Sequence, residues 1–345
     1  MAKRSPFEQF DELVQELLTG RGAPVPRVSA PLADLVNLAG NLRHLPRTDY
    51  KTRLKAELQR RTAAMTPSTT HEETTTAREV KASSTRVNPV RPGFHTITPY
   101  LIVREAAELI DFVKQVFGAE EQFRSIGSAG GIHCEIRLGD SMVMIGGGGA
   151  WRGTPTPTAL HVYVRDTDAT YQRALGAGAT SLRAPADQDY GDRDASMRDP
   201  YGNHWYIGTH TQAGPENFIP QGLHVVNVYL HPTSGEATIG FLKSAFGADE
   251  LERAQSPDGV IHHAKLRIGD SVLEMGEAHA EFQPMPTTFY LYVEDCDALY
   301  HRAVAAGAES LNPPADQDYG DRNAGVRDPF GNTWYLSTHI KDVAP

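Results

Sequence analysis

The chain repeats itself, and that repeat limits its fold more than any other feature. His95, Tyr100, Leu101, Phe112, Lys114, Phe117, Gly118, Ala119 and Glu121 return 129 residues later. There they are His224, Tyr229, Leu230, Phe241, Lys243, Phe246, Gly247, Ala248 and Glu250. The run Ala186–Arg193 recurs unchanged at Ala315–Arg322, and Asp199-Pro200-Tyr201-Gly202-Asn203 recurs as Asp328-Pro329-Phe330-Gly331-Asn332. One unit of about 120 residues is present twice, within the usual size range of a domain. The expected boundaries are residues 93–212 and 218–341.

Each unit has a further internal rhythm. In the first, Thr96–Val103 alternates like a strand, and Ala106, Leu109, Ile110, Val113 and Phe117 form a helical stripe closed by Gly118. Strand-like runs follow at Glu121–Ile126, Ile132–Leu138 and Ser141–Ile145, with Gly139-Asp140 as a hairpin turn. After the glycine joint Gly146–Gly149 the order comes again. A strand lies at Leu160–Val164, then a helix capped by Asp168 and ending near Gly178, then strands near Ser181–Arg183, Ala195–Arg198 and His204–Gly208. The rhythm βαβββ therefore occurs twice per unit and four times in the chain, which makes an α+β fold.

The ends differ from this body. Residues 1–62 read as a small helical extension, with apolar stripes through Leu13, Leu17, Leu35, Leu42, Leu54 and Leu58. It is expected to pack on the main body or on a second copy, or to dock a protein partner. Residues 63–92 have almost no large apolar side chains and read as a flexible linker.

Composition removes several classes. Of 345 residues, 33 are Lys or Arg and 43 Asp or Glu, for a net charge of −10. Such a chain is poorly suited to nucleic acid or an anionic membrane. Two cysteines, Cys134 and Cys296, make neither a disulfide scaffold nor a cysteine-rich zinc site. No apolar run is long enough to span a bilayer and no secretory leader opens the chain, so the expected location is the cytoplasm. Gly146–Gly149 lacks the Lys-Ser/Thr and helix of a phosphate loop, and no dinucleotide fingerprint is present.

The strand, the helix ending in Phe117-Gly118-Ala119, the Gly139-Asp140-Ser141 hairpin and the Asp199–Asn203 turn together resemble the vicinal oxygen chelate superfamily. It includes glyoxalase I, bleomycin-resistance proteins and extradiol dioxygenases. His95–Leu101, Ile132-His133 and Tyr190–Arg193 look most similar to its PhnB-like branch. The resemblance implies tandem vicinal-oxygen-chelate domains, each of two paired βαβββ modules curled around one cavity. It also implies a divalent metal held by His, Gln or Glu from the first and last strands of the modules, acting on two neighbouring substrate oxygens.

Carried over residue by residue, those ligand positions fall on Thr98, Met144, Ala159 and Tyr206 in the first unit, and on Asn227, Glu274, Thr288 and Tyr335 in the second. Glu274 is the one strong ligand. The metal candidates that remain are His95, His161, His224 and Glu274, with a divalent ion as the cofactor they would hold; no cofactor is otherwise indicated. His161 lies two residues beyond Ala159 and shares its strand face; its counterpart in the second unit is Tyr290. The expected small-molecule contacts are His133, Tyr190, Arg193, Trp205 and Tyr206 in the first unit, and His263, Tyr319, Arg322, Trp334 and Tyr335 in the second. Arg offers a fork for an anion and the aromatics offer a wall.

The expected function is binding of small organic molecules in two cavities, with the usual metal site largely lost. One alternative is a metal-dependent lyase, isomerase or dioxygenase using the strand histidines, His133 and His263 included. The other is a ligand sensor that docks a partner through residues 1–62.

Overall fold

The computed structural model describes residues 87–343, apart from 128, 213, 215 and 281. The expected helical extension 1–62 and the 63–86 part of the expected linker lie outside the described residues. The first unit runs β1 (Ile97–Val103), α1 (Ala106–Phe117), β2 (Glu120–Ile126), β3 (Ile132–Leu138), β4 (Ser141–Gly147), β5 (Ala159–Tyr163), α2 (Thr167–Gly176), β6 (Thr180–Asp187), β7 (Asp192–Arg198) and β8 (His204–His210). The second repeats it: β9 (Val226–Leu230), α3 (Gly235–Phe246), β10 (Asp249–Gln255), β11 (Ile261–Ile268), β12 (Ser271–Met275), β13 (Thr288–Tyr292), α4 (Cys296–Ala305), β14 (Glu309–Asp316), β15 (Asp321–Arg327) and β16 (Thr333–His339). The fourfold βαβββ order stands as expected.

Local chemistry accounts for the element ends. Gly118 and Gly247 close α1 and α3 in the left-handed conformation, at φ 70° in both, where a Cβ would be strained. The cap of α2 is Asp166, which accepts a hydrogen bond from the Ala169 N–H; the expected cap Asp168 is already inside the helix. Asp295 does the same for α4.

The sheets are not assembled unit by unit. One eight-stranded sheet has the order β14-β15-β16-β13-β1-β4-β3-β2 and the other β10-β11-β12-β9-β5-β8-β7-β6. The first module of the chain shares a sheet with the last, and the two middle modules share the other. The joints are antiparallel: β1 meets β13 with Thr98 opposite Tyr290, and β5 meets β9 with His161 opposite Asn227. We call the first the flanking sheet and the second the central sheet. The expectation that each unit encloses its own cavity is thereby corrected. Sequence repeats mark duplicated segments, but edge strands decide which modules join, and an antiparallel edge pairing is available between any two copies.

What holds a unit together is its helices. Arg173 on α2 donates to the Val116 carbonyl at the end of α1 (3.0 Å), and Arg302 on α4 donates to the Ala245 carbonyl of α3 (2.6 Å). Each satisfies an orphan carbonyl with a cation at the negative end of the helix dipole. The helix-facing sides of both sheets merge into one apolar core containing Leu101, Ile110, Leu160, Trp205, Leu273 and Trp334.

Each unit also carries a buried carboxylate at the Asp-Pro turn. Asp199 accepts from the backbone N–H groups of Tyr201 and Asn203, the Asn203 amide and the Trp205 indole, all at 2.7–2.9 Å. Asp328 repeats the set with Phe330, Asn332 and Trp334. The turn and the core tryptophan are thus locked by one side chain.

The expected linker boundary moves as well. The Pro89 carbonyl accepts from the His339 N–H (2.9 Å), and Arg91 makes a bidentate pair with the buried Glu135 (2.6 and 2.8 Å). Residues 89–92 therefore belong to the folded body.

Candidate functional site

Alternation places every second strand residue on the face away from the helices. On the central sheet that face carries His161 and Tyr163 (β5), Tyr206 and Gly208 (β8), Tyr229 (β9), His263 (β11), Glu274 (β12), and Asp192 and Asp194 (β7). On the flanking sheet it carries Thr98 and Tyr100 (β1), His133 and Glu135 (β3), Met144 (β4), Tyr290 and Tyr292 (β13), and Tyr335 and Ser337 (β16).

Strand register makes the two faces comparable position by position. Met144 opposes Tyr100 as Glu274 opposes Tyr229. Tyr290 opposes Tyr335 as His161 opposes Tyr206. Asn323 opposes Ser337 as Asp194 opposes Gly208. At one spot, four neighbouring residues of the central sheet differ from their counterparts: His161, Glu274, Asp194 and Gly208 stand in place of Tyr290, Met144, Asn323 and Ser337.

In the flanking sheet the spot is closed. Tyr290 donates to Asp321 (2.9 Å) and accepts from Ser337 (2.8 Å), and Asn323 donates to Ser337 (3.1 Å). Tyr292 also donates to Asp321 (3.0 Å), and His339 Nδ1–H donates to its other oxygen (2.8 Å). Phe94 packs with Met142, Met144, Tyr290 and Tyr292 over the face, and Val90 packs against the same group. Arg91 spans this lid to Glu135, with its guanidinium 4.8 Å above the Phe94 ring.

In the central sheet the same spot is polar. His161 Nδ1–H donates to Glu274 Oε1 (2.9 Å), and both side chains are buried. Burial alone would lower the imidazole pKa, but the charge and hydrogen bond of Glu274, with Asp194 and Asp192 beyond, raise it. Burial would likewise raise Glu274, and His161, His263 and Lys265 hold it below the usual carboxylate range. His263 Nε2 lies 3.7 Å from the other Glu274 oxygen, and burial lowers the pKa of that imidazole. Tyr190 donates to Asp194 Oδ2. Burial is the main cause that raises Asp194.

Two buried atoms are left over: His161 Nε2 and Asp194 Oδ1 have no hydrogen-bond partner. A Cβ on Gly208 would lie 3.0 Å from the first and 2.8 Å from the second. Only a glycine lets both polar atoms approach the β8 backbone this closely. Among the described residues six buried side-chain polar atoms lack partners. Five of them (on His161, Asp194, Ser196, His204 and His231) are on the strands of the central sheet or directly after one. Buried polar groups are normally satisfied, so such a cluster marks where a ligand or water completes the structure. Aromatic rings flank it: Tyr206 lies 4.7 Å from Tyr229 and is stacked at 5.9 Å on Phe282, and the Tyr206 hydroxyl meets His231 Nε2 at 2.9 Å.

The sequence-predicted residues divide accordingly. His161, Glu274, Tyr206 and His263 come together in the central sheet, and Tyr190 reaches it through Asp194. His133 and Tyr335 lie on the flanking face, where the Tyr100 hydroxyl meets His133 Nδ1 (3.0 Å), and Tyr319 stands by Tyr290 there. Four others are corrected. Arg193 is tied to Asp168 and Asp187, and Arg322 to Asp297 and Asp316, so both guanidiniums brace a helix start to a strand. Trp205 and Trp334 point into the helix-side core, at 1% and 0% exposure. The reason is parity: they neighbour Tyr206 and Tyr335, and adjacent strand residues face opposite ways. His95 and His224, just before β1 and β9, stack on each other. Asn227 is turned back onto the His224 backbone (2.7 and 3.2 Å).

Asp194, Gly208, Tyr163 and Tyr229 were missed. The signal that could have found Asp194 and Gly208 was in the repeat: they are positions where the units differ by a charge or by a whole side chain.

Comparison with known proteins agrees with the architecture. Residues 93–207 and 224–336 each match the model of the Glyoxalase/Bleomycin resistance protein/Dioxygenase superfamily, and the chain belongs to that superfamily. An uncharacterized protein of Mycobacterium bovis is 40% identical over 123 residues, 32% of this chain and 81% of the relative. One of Mycobacterium tuberculosis is 40% identical over 123 residues, covering 72% of its own length and 32% of this chain. The crystal structure of glyoxalase I from Zea mays superposes with a TM-score of 0.53 at 16% identity, over 70% of this chain and 92% of that one, a likeness of fold. Among the described residues no helix is long and apolar enough to cross a membrane.

Proposed function

We propose that this chain binds one small organic molecule, on the central sheet, and that the His161–Glu274 pair with Asp194 reads the polar group of that molecule. The observation that carries this is the pair of unpartnered buried atoms, His161 Nε2 and Asp194 Oδ1, which meet beside Gly208. A ligand hydroxyl placed between them accepts from a protonated His161 Nε2–H and donates to Asp194, and an amine donates to both when Nε2 carries its lone pair. The tyrosine faces supply the apolar wall that small-molecule sites need. The flanking sheet has the same ancestry but has spent its polar groups internally and is covered by Arg91 and Phe94.

This reading does without the superfamily's metal. On the central sheet Glu274 is the strong donor at a family position, and it is bonded to His161, two residues beyond Ala159. Tyr206 is engaged with His231, and Asn227 is turned away. Two mutually bonded donors fall short of the three or four that hold a divalent ion.

A second reading, catalysis, has its own observation. A carboxylate behind Nδ1–H with an open Nε2 is the arrangement of a general base. In that case His161 takes a proton from the bound molecule while Glu274 stabilises the imidazolium. The third alternative, docking through residues 1–62, concerns residues outside those described.

The test is a Gly208→Ala chain. Its added methyl presses on both atoms, at 3.0 and 2.8 Å, and displaces them. Binding of aromatic fragments that perturb the His161 ring resonances in NMR should weaken at least tenfold, with an unchanged far-UV circular dichroism spectrum as the check on the fold. Fragments that bind equally well to both chains, or stoichiometric metal lost on His161→Ala, would contradict the reading.

A further inference from the structure

His95 and His224, the repeated histidines before β1 and β9, form a feature the proposed function does not use. Their rings stack at 3.6 Å between centroids and 18° between planes. His95 Nδ1 faces Asp270 Oδ2 (3.1 Å) and its Nε2 faces the Asp140 carbonyl (3.0 Å). His224 mirrors it, with Nδ1 on Asp140 Oδ2 (3.2 Å) and Nε2 on the Asp270 carbonyl (2.9 Å). All four ring nitrogens therefore face oxygen acceptors. A neutral imidazole has one N–H and one lone pair, so it can satisfy one such contact and sets a lone pair against oxygen at the other. An imidazolium satisfies both.

The cluster also joins the two sheets. His95 and the β3–β4 turn at Asp140 belong to the flanking sheet, while His224 and the β11–β12 turn at Asp270 belong to the central one. Asp270 Oδ1 accepts from the Thr96 N–H (2.8 Å), and Asp140 Oδ1 from the Val225 N–H (2.9 Å). The turns press close: a Cβ on Gly139 would meet Val225 at 2.6 Å, and one on Gly269 would meet Thr96 at 2.2 Å.

We infer that His95, His224, Asp140 and Asp270 form a proton-operated clasp between the two sheets, closed when His224 is protonated. The two carboxylates offset the charge that protonation places on the stack. Among the described residues, the titratable groups in contact with the stack are Asp140 and Asp270. A metal is a poorer occupant, although the donor atoms of His95, His224 and Asp270 lie within 4.8 Å of one another. An ion shared by both imidazoles should lie in both ring planes, and near-parallel rings 3.6 Å apart offer no such point.

The sign follows from linkage. The Asp140 hydrogen bond raises the His224 pKa against burial, so the stability it contributes is full below the ordinary imidazole value and is lost as pH rises through the raised one. Burial would raise Asp140 and Asp270, but their hydrogen bonds from His224 and His95 and from the backbone hold them far below the usual range. Their contribution is present above the ordinary carboxylate value. The clasp is strongest between about pH 4 and 6.5.

The test compares melting temperatures of the wild type and a His95→Gln/His224→Gln chain from pH 5 to 9 in EDTA, so that other histidines cancel. The expected gap is about 4 °C at pH 5.5, shrinking by more than half at pH 9. A gap independent of pH would overturn the clasp. So would a zinc-induced rise at pH 8 that the double variant lacks. The wild type alone provides an independent check: both His224 ring nitrogens should show imidazolium 15N shifts at pH 5.5, and a neutral ring there would overturn it equally.

Discussion

A Glu274→Ala chain is expected to be about 3–5 kcal/mol less stable than the wild type and to bind nothing on the central sheet. Glu274 is 2% exposed and pairs with His161 at 7%. Removing one member of a buried pair leaves the other without its partner, and that penalty exceeds the net worth of the pair. The flanking sheet shows what a stable replacement looks like, since Met144 and Tyr290 occupy the corresponding positions. His161→Tyr/Glu274→Met should therefore recover most of the lost stability while still failing to bind. Urea unfolding of the two single variants and the double gives the coupling between the sites. Additive losses would mean that the pair does not act as a unit.

Asp199→Ala is expected to cost about 3–4 kcal/mol. It strips acceptors from two backbone N–H groups, the Asn203 amide and the Trp205 indole in a site 4% exposed. Asp328→Ala should cost a similar amount, because its bonds are the same. Asp199→Asn should cost less, since it keeps an acceptor oxygen. Denaturant melts of the three chains check the order, and a loss under about 1 kcal/mol for Asp199→Ala would show that the turn is held by its backbone alone.

Much of this architecture could be read from the residues. Strands, helices and hairpins follow from period-2 and period-3.6 patterns and from Gly118, Gly139 and their repeats, all local signals. The partnership of modules could not be read, because β1 carries nothing that distinguishes β13 from β5 as a neighbour. The site was half legible. Glu274 and His161 stood out as departures from the repeat, whereas Arg193 and Trp205 looked functional because Arg and Trp often are. Their real partners, Asp168 and Asp199, are close in sequence, but which way they point is settled by strand parity. Tyr190 stood out for its motif, though what it does is orient Asp194.

The central claim is that one of two sister cavities was kept for a ligand while the other was closed. Crystals of the whole chain soaked with a library of aromatic hydroxyl and amine fragments test it, whatever the natural ligand is. Fragments are expected on the central sheet, with a donor between His161 Nε2 and Asp194 Oδ1 and a ring against Tyr206 or Tyr229. Fragments seated beneath Arg91 on the flanking sheet, with His161 Nε2 and Asp194 Oδ1 left untouched, would contradict it.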